Sequence, residues 1–270
     1  MGRTAVVLAL LVLASCSGPR RLPVEPDPDA CLVRVMTYNV NFGIAGDESA
    51  IEAIRSGDAD IVLLQETTPE WEEALREKLD AQYPHMSFRH CCGAGGLAVL
   101  SREPFEEKSY VDSPSGWFPA LIVNVDSDIG QIQVMNVHLH PPVSESGSVV
   151  SGYFSTPAVR LEEISSFYEH LDPDLPTLIA GDFNEREGGK ASSFLDAKGF
   201  TSVLPEYHPK QKTWHWMTSV GEIDSRLDHI MYDESLEPLD AWVLEEGRSD
   251  HMPVVAVFKL DAVGLDESTH

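Results

Sequence analysis

The chain has 270 residues, of which 43% are hydrophobic and 23% are charged. This composition excludes an intrinsically disordered chain, and the length suffices for one large domain with its own core. The 44 acidic residues outnumber the 19 basic residues and give a net charge of -25. This sign is unfavourable for binding the backbone of a nucleic acid, because such binding depends on many Lys and Arg contacts to phosphate.

Residues 1–15 are predicted to be a signal peptide. Arg3 precedes an apolar run, Ala5 to Ala14, which is too short to span a bilayer comfortably. The sequence Leu13-Ala14-Ser15-Cys16 resembles the lipobox of bacterial lipoproteins, in which cleavage before the cysteine accompanies its lipidation. We therefore expect Cys16 to anchor the protein to a membrane of the cell envelope, the outer membrane if the host is Gram-negative. An ordinary secretory signal is the alternative.

Residues 16–30 contain four prolines and are predicted to form an extended tether between the anchor and a domain at residues 31–260. Cys31, Cys91 and Cys92 lie outside the anchor. An oxidising compartment permits a disulfide, and because adjacent cysteines rarely bridge each other, Cys31 with Cys91 or Cys92 is the preferred pairing. Free buried thiols are the alternative.

Short runs of apolar and β-branched residues predict strands, and apolar residues at helical spacing predict helices. The predicted strands are residues 32–40, 60–66, 96–101, 120–125, 131–138, 177–180, 227–231 and 254–260. The predicted helices are residues 47–56, 69–79, 158–171 and 191–197, and residues 261–270 are predicted to be a flexible tail. Because strands alternate with helices and also pair as hairpins, the pattern favours an α/β sandwich with two layered sheets.

Chemically reactive residues follow several of these strands. Asp182 supplies a carboxylate that can bind a metal or accept a proton, and Asn184 supplies a neutral amide that can hold a phosphate or a water. Each cluster alone also fits an ordinary turn or a satisfied core residue. The clusters, in chain order, are Asn39, Gln65-Glu66, Asn136-Val137-His138, Asp182 with Asn184, Arg226-Leu227-Asp228-His229 and Ser249-Asp250-His251.

This ordered set resembles the endonuclease/exonuclease/phosphatase superfamily over residues 32–260. The motifs are Tyr38-Asn39-Val40, Leu64-Gln65-Glu66, Asn136-Val137-His138-Leu139, Gly181-Asp182-Phe183-Asn184, Arg226-Leu227-Asp228-His229-Ile230 and Ser249-Asp250-His251. The resemblance implies a four-layer α/β sandwich, in which two packed mixed β-sheets are flanked by helices. It also implies a divalent cation, Mg²⁺ or Mn²⁺, and the hydrolysis of a phosphoester substrate.

The resemblance implies that Asn39, Glu66 and Asp250 bind the metal. Hard cations take oxygen ligands, and Mg²⁺ keeps several waters, so few protein ligands suffice. Several nucleases of the superfamily have an acid two residues after the matched asparagine, where this chain has Asn41. This departure puts a second metal ligand in doubt, and the number of bound ions stays open.

The resemblance implies catalytic roles for five other residues. His251 matches the histidine that activates the attacking water or contacts the phosphate, and Asp228 matches the aspartate that orients it. An imidazole of near-neutral pKa held by a carboxylate is suited to proton transfer. Asp182 and Asn184 match the pair that positions the nucleophile and the phosphoryl oxygens. His138 matches a second histidine on the phosphate side.

The leading interpretation is a monomeric, metal-dependent phosphodiesterase or phosphatase that acts on a small or membrane-borne substrate. One alternative is a secreted or surface-anchored nuclease that acts on DNA, which a local basic groove would favour. The candidate residues for such a groove are Arg186, Lys190, Lys210 and Lys212. A non-catalytic binding lipoprotein is the second alternative, although every principal site position is filled.

Three loops are expected to determine specificity, at residues 91–95, 141–157 and 205–220. The last of these contains Trp214 and Trp216, which either stack a substrate or pack a loop, and packing is the preferred interpretation. The sequence does not identify the substrate.

Overall fold

The computed structural model describes residues 20–142, 155–218 and 221–261. The predicted signal peptide, Cys16 and the start of the tether lie outside the described residues. The same holds for residues 143–154 of the predicted loop and for the tail after residue 261.

In the described residues, strands form two six-stranded sheets and a separate hairpin. The strands are β1 (Val33–Asn39), β2 (Ile61–Gln65), β3 (His85–Arg89), β4 (Leu97–Ser101), β5 (Phe105–Val111), β6 (Ala120–Ser127), β7 (Gly130–His138), β8 (Thr177–Asp182), β9 (Thr201–Ser202), β10 (Trp214–Thr218), β11 (Gly221–Ser225), β12 (Asp228–Tyr232), β13 (Leu236–Val243) and β14 (Val254–Leu260). The helices are α1 (Glu48–Ser56), α2 (Pro69–Leu79), α3 (Pro157–Tyr168), α4 (Lys190–Asp196) and α5 (Leu204–Tyr207).

The two sheets have the same mixed arrangement. The strand orders are β13-β14-β1-β2-β4-β3 in the first sheet and β5-β6-β7-β8-β12-β9 in the second, while β10 and β11 form a separate two-stranded sheet. One central pair in each sheet is parallel, β1 with β2 and β7 with β8, and the other pairings are antiparallel.

Three clusters of buried apolar side chains separate four layers. The central cluster lies between the sheets and includes Leu63 and Leu178. A second cluster, with Leu64 and Trp71, packs the first sheet against α1 and α2. A third, with Phe167, packs the second sheet against α3 and α4. Consecutive residues of a strand point to opposite faces, so strands buried on both faces are continuous apolar runs. The structure therefore confirms the predicted four-layer sandwich.

The two parallel pairs bring polar residues to one end of the sandwich. Asn39 at the end of β1 is in register with Gln65 at the end of β2. His138 at the end of β7 is in register with Asp182 at the end of β8. Since parallel strands end at the same edge of a sheet, the chemically reactive residues lie side by side.

A buried polar bridge fixes the two sheets relative to each other near this end. The Asn136 side chain, in the second sheet, donates hydrogen bonds to the carbonyl oxygens of Leu64 (2.9 Å) and Ala98 (3.0 Å) in the first sheet. Its oxygen accepts a hydrogen bond of 2.7 Å from Gln65 Nε2. Because buried polar groups are costly when unpaired, this bridge favours one alignment of the sheets.

Several elements were not predicted, and each departs from a simple apolar pattern. β3 is half-buried, and alternate residues of β5, including Glu106, are exposed. β13 contains Pro238 beside a register shift. The predicted loop 205–220 includes the whole of the hairpin strand β10. Charged residues and proline interrupt the apolar pattern of these strands. An edge strand tolerates them because it needs only one apolar face.

The described part of the tether follows the domain surface. The Arg21 amide donates a hydrogen bond of 2.8 Å to the Glu206 carbonyl, and the Val24 amide donates one of 3.0 Å to the Leu239 carbonyl. The Arg21 and Glu206 side chains also form an ion pair of 3.1 Å. Among the helices of the described ranges, none is both long and apolar enough to cross a membrane.

The three cysteines of the described residues are free. Cys31 precedes β1, whereas Cys91 and Cys92 follow β3, which runs in the same direction as β1 within the same sheet. The cysteines therefore lie at opposite ends of the sheet. The preferred pairing of Cys31 with Cys91 or Cys92 is wrong, because half-cystine Cα atoms must lie within about 7 Å.

Candidate active site

Asp228 and His251 form a buried pair at the polar end of the sandwich. His251 Nδ1 lies 3.0 and 2.9 Å from the two carboxylate oxygens of Asp228. The Thr213 hydroxyl accepts hydrogen bonds from the backbone amides of Leu227 (3.0 Å) and Asp228 (3.1 Å) and so fixes the start of β12. The neighbouring Arg226 pairs with Glu187 and not with Asp228.

Asp182 lies between two imidazole rings. Its Oδ2 is 3.6 Å from His251 Nε2 and 3.4 Å from His138 Nε2. The Asn184 backbone amide donates a hydrogen bond of 2.8 Å to Asp182 Oδ1, and the Asn184 side chain donates one of 2.9 Å to the Leu139 carbonyl. Asp182 is 1% exposed, so its charge is balanced mainly by these neighbours.

Burial and charge act in opposite directions on these groups. Burial alone would lower the pKa of His251, but the carboxylates of Asp228 and Asp182 raise this pKa to about 10. The protein's own groups thus make His251 an imidazolium at neutral pH, rather than the near-neutral imidazole that we expected. Burial lowers the pKa of His138 and raises the pKa of Asp182, against the opposing effects of their mutual attraction.

Glu66 and Asn39 form the adjacent part of the site. Asn39 Nδ2 donates hydrogen bonds of 3.1 Å both to Glu66 Oε1 and to Asp182 Oδ2. The Phe42 backbone amide donates one of 3.1 Å to Glu66 Oε2. Burial raises the pKa of the Glu66 carboxyl in spite of these hydrogen bonds. Asn39 therefore connects a predicted metal ligand to Asp182.

Asp250 completes the acidic set through contacts that the sequence did not reveal. Its Oδ1 accepts a hydrogen bond of 3.0 Å from Asn41 Nδ2, and its Oδ2 accepts one of 3.1 Å from Trp214 Nε1. The Asn41 backbone amide in turn donates to Asn39 Oδ1 at 3.1 Å. The position that carries an acid in several nucleases thus holds an amide that orients Asp250.

Backbone strain is concentrated in this site. Within the described ranges, the non-glycine residues with positive φ are Asn41 (61°), Asp58 (50°), Glu66 (62°) and Asn184 (51°). Three of these four belong to the site network. Each such conformation costs of order 1–3 kcal/mol and persists only where the surroundings impose it, as functional sites often do.

The donor set fits a divalent cation. One charged imidazole, that of His251, lies among four carboxylates, those of Glu66, Asp182, Asp228 and Asp250. The site therefore has an excess of acidic side chains. Ligand atoms of Asp182, Asp228 and His251 lie within 4.8 Å of one another. The carboxylates of Glu66, Asp182 and Asp250 line the same cavity, and carboxylate oxygens suit Mg²⁺ or Mn²⁺.

The predicted residues come together around one cavity of about 1070 Å³. Asn39 and Asp228 are buried behind the others and do not line it. The lining members of the predicted set are Glu66, His138, Asp182, Asn184, Asp250 and His251.

Aromatic residues form the outer walls of this cavity. Phe118 stacks on His138 with ring centroids 4.4 Å apart, and Trp117 lies 4.3 Å from His140. Trp216 on the β10–β11 hairpin is 51% exposed and lines the cavity, so its interpretation as a packing residue is wrong. Trp117 and Phe118 carried no sequence signal, because they follow a Ser/Gly-rich turn that resembles an ordinary loop.

The cavity rim has few unpaired cations. Of the four residues proposed for a basic groove, Arg186 is the one that lines the cavity, where its Nε donates a hydrogen bond of 2.8 Å to Ser225 Oγ. Other cations around it form ion pairs: Arg160 with Glu185, Lys212 with Asp224, and Arg226 with Glu187. Lys190, Lys210 and Lys212 do not line the cavity, so the proposed basic groove is not part of its wall.

Residues 36–251 match the model of the Endonuclease/Exonuclease/phosphatase family. The chain belongs to this family, whose members hydrolyse phosphoesters. A search of curated proteins found no match.

Solved structures show the same fold at low sequence identity. The structure of D. rerio TDP2 with a single-strand DNA product is 18% identical, with a TM-score of 0.66, and covers 84% of this chain and 99% of that chain. An AP endonuclease from Archaeoglobus fulgidus is 20% identical, with a TM-score of 0.63 and coverage of 84% and 100%. ANGEL2, a 2',3'-cyclic phosphatase solved with adenosine-2',3'-vanadate, is 18% identical, with a TM-score of 0.64 and coverage of 85% and 96%.

Proposed function

We propose that this protein is a metal-dependent phosphoester hydrolase that uses Asp182, Asp228 and His251 as its central catalytic groups. The observation that carries the proposal is the arrangement of His251 between the two aspartates, with contacts of 2.9 Å to Asp228 and 3.6 Å to Asp182 at the base of the cavity. The arrangement supports a model in which a cation, a carboxylate and an amide contact one phosphoryl group.

The pKa directions support the following proton-transfer roles. His251, as an imidazolium, donates a hydrogen bond to the phosphoryl oxygen that gains negative charge, and Asp228 holds the ring in position. Asp182, whose pKa is raised by burial, accepts the proton of the attacking water. The Asn184 amide positions that water or a phosphoryl oxygen.

His138 stabilises this arrangement from the opposite side of Asp182. The Ala94 carbonyl, 3.2 Å from His138 Nδ1, only accepts hydrogen bonds, so Nδ1 carries the proton. In the neutral ring Nε2 is then an acceptor, and it faces Asp182 Oδ2 at 3.4 Å. A proton that reaches Asp182 is therefore shared with His138.

Glu66 and Asp250 would hold the divalent cation, with Asn39 fixing the Glu66 carboxylate. A bound cation would neutralise part of the negative charge of the phosphoryl group and of the four carboxylates. The oxygen donors and the excess of acidic side chains support this assignment.

The substrate class that we propose is a small or membrane-borne phosphoester rather than long nucleic acid. The net charge of -25 repels a polyanion, and Arg160, Lys212 and Arg226 near the cavity are paired with acids. The cavity of about 1070 Å³ has the size of a small-molecule site. Nuclease activity is the competing hypothesis, which the names of TDP2 and the AP endonuclease support by fold likeness alone.

A substrate comparison tests the proposal. kcat/KM with Mg²⁺ is measured on duplex DNA, single-stranded DNA, bis(4-nitrophenyl) phosphate, inositol phosphates and phospholipid vesicles, at low and at moderate salt. We expect one of the small or lipid substrates to be preferred, with all turnover lost in Asp182→Asn. A markedly higher kcat/KM on DNA at both salt concentrations would establish the nuclease.

A further inference from the structure

Two adjacent cysteines lie in the loop that joins β3 to β4. Their Sγ atoms are 2.7 Å apart. Cys92 is exposed and Cys91 is half-buried, so a reagent in solution reaches Cys92 first. Neither thiol takes part in the hydrolysis proposed above, and Cys31, at the other end of the sheet, is not available to either.

The same loop supports the active site. The carbonyl of Ala94, two residues after Cys92, holds His138 Nδ1 at 3.2 Å, and Ala94 lines the cavity. The Gly95 amide donates a hydrogen bond of 3.1 Å to the Cys92 carbonyl. Cys92 Sγ also lies 3.7 Å from the carbonyl of Trp117, in the aromatic wall. The cysteines are therefore connected to His138 through the short backbone segment from Cys92 to Ala94 and one hydrogen bond.

The loop is also attached to the strand end that carries Glu66. The Thr67 amide donates a hydrogen bond of 3.1 Å to the Gly96 carbonyl. A Cβ on Gly96 would lie 1.8 Å from the Thr67 carbonyl oxygen, so only glycine fits at position 96. Because one end of the loop is fixed in this way, changes at Cys91 and Cys92 are absorbed by residues 93–95.

We propose that Cys91 and Cys92 form a vicinal disulfide that opens and closes with the redox conditions and sets the mobility of the loop that holds His138. The reason for lability is geometric. Adjacent Cα atoms are about 3.8 Å apart across a trans peptide, whereas disulfide-bonded residues usually have Cα atoms about 4.4–6.8 Å apart. A bond between neighbours is thus strained, and strained, exposed disulfides are the ones that reduce readily.

The bond forms by exchange with a disulfide, either a small molecule or a protein. The Cys92 thiolate attacks one sulfur of the donor, which gives a mixed disulfide and releases the first donor thiol. The Cys91 thiolate then attacks Cys92 Sγ and releases the second. The two cysteines are oxidised, the donor disulfide is reduced, and the two protons pass to the released thiols. The hydrogen bond with Cys91 raises the pKa of Cys92 to about 11, so we expect exchange to accelerate with pH.

The oxidation state of Cys91 and Cys92 is measured from the mass of a tryptic peptide, without an enzymatic assay. The full-length chain is equilibrated in buffers of varied reduced-to-oxidised glutathione ratio, quenched with iodoacetamide and digested with trypsin. Cleavage after Arg89 and Arg102 places both cysteines in the peptide His90–Arg102, apart from Cys31. We expect this peptide to be unalkylated and lighter by two hydrogen atoms under oxidising ratios, and doubly alkylated under reducing ratios.

Hydrogen exchange tests the link to the loop. We expect amides of residues 93–96 to exchange at least about 3-fold faster in the reduced chain than in the oxidised chain, because the ring no longer restrains them. The variant Cys31→Ser should keep this difference, and Cys91→Ser/Cys92→Ser should lose it. In the mass-spectrometric experiment, four results would overturn the proposal: two thiols at every glutathione ratio, a cross-link to Cys31, a stable glutathione adduct on Cys92, or a disulfide that no ratio opens. Equal amide hydrogen exchange in the oxidised and reduced chains would overturn it as well.

Discussion

His251 is fixed by contacts at three of its atoms. Nδ1 contacts the Asp228 carboxylate, Nε2 faces Asp182 at 3.6 Å, and the backbone amide donates a hydrogen bond of 3.1 Å to Ser249 Oγ. Ser249 Oγ in turn donates one of 2.8 Å to the carbonyl of Asn39. The imidazole is therefore pre-organised before any substrate binds, which is the condition for electrostatic catalysis.

Asp228→Asn tests the orienting role of this aspartate. The amide keeps the shape of the side chain but removes the charge that holds the imidazolium, so we expect kcat to fall by at least about 10²-fold. Combining it with His251→Ala should add little, since the two residues act as a unit. The exposed Asp174 serves as a matched control, and Asp174→Asn should keep full activity. Near-normal kcat in Asp228→Asn would exclude the assigned role.

The raised pKa of His251 predicts a pH dependence of stability. A histidine whose pKa rises from 6.5 in the unfolded chain to about 10 in the folded protein stabilises the fold fully below pH 6.5. That contribution is lost as the pH rises through about 10. We expect the free energy of unfolding, measured by urea denaturation in chelator, to fall by at least about 1.4 kcal/mol between pH 6.5 and 10. His251→Gln should weaken this fall, and an equal fall in both proteins would contradict the pKa assignment.

At the scale of elements, the sequence predicted the strands that are buried on both faces and missed those that are not. β2, β4 and β8 are largely apolar runs, and the polar residues that end β1, β2 and β8 marked the site. Glu106 in β5 and Pro238 in β13 interrupt the pattern of their strands, which the pairing with neighbours overrides.

The sequence predicted those members of the candidate site whose side chains are of a type suited to the chemistry. Asp182, Asp228 and His251 were found from strand ends and motifs, because few side chains transfer protons. Asn41 and Ala94 act through an amide and a backbone carbonyl, and no sequence pattern identifies such contacts. They depend on which loops the two sheets bring together, and that is a property of the folded chain.

Asn136→Ala tests the polar bridge between the sheets. The change removes the hydrogen bonds to the Leu64 and Ala98 carbonyls and the one that Asn136 accepts from Gln65 Nε2, so we expect a loss of roughly 1–3 kcal/mol of unfolding free energy. Gln131→Ala, on the exposed end of the same strand, is the control and should change stability by less than about 0.5 kcal/mol. Equal stabilities of the two variants would show that the bridge does not fix the sheets.

For the whole molecule, we propose a lipid-anchored protein of the cell envelope. The lipobox-like sequence that ends at Cys16 supports this localisation. We expect mass spectrometry of the mature chain from its native host to show a diacylated or triacylated Cys16 at the N-terminus, and Cys16→Ser to leave the membrane fraction. A mature N-terminus at another residue would contradict the anchor.

The acidity of the whole chain bears on the substrate as well. A net charge of -25 disfavours long polyanions at every distance beyond the site, whereas a small phosphoester is governed by the local groups around His251. We therefore expect activity on a small substrate to depend weakly on salt, in contrast to the steep dependence that phosphate-backbone binding produces. Hydrolysis rates between 50 and 200 mM salt check this expectation, and a fall of about 10³-fold would contradict it.

The central claim is that this site hydrolyses phosphoesters with a divalent cation, and one assay tests it most directly. Turnover of bis(4-nitrophenyl) phosphate is measured for the natural chain, Asp182→Ala and His251→Ala, each with Mg²⁺, with excess chelator, and after Mg²⁺ is restored. The account predicts activity that chelator abolishes and Mg²⁺ restores in the natural chain, and kcat lowered by at least about 10²-fold in each folded variant. Full activity in excess chelator, or undiminished activity in both variants, would contradict it.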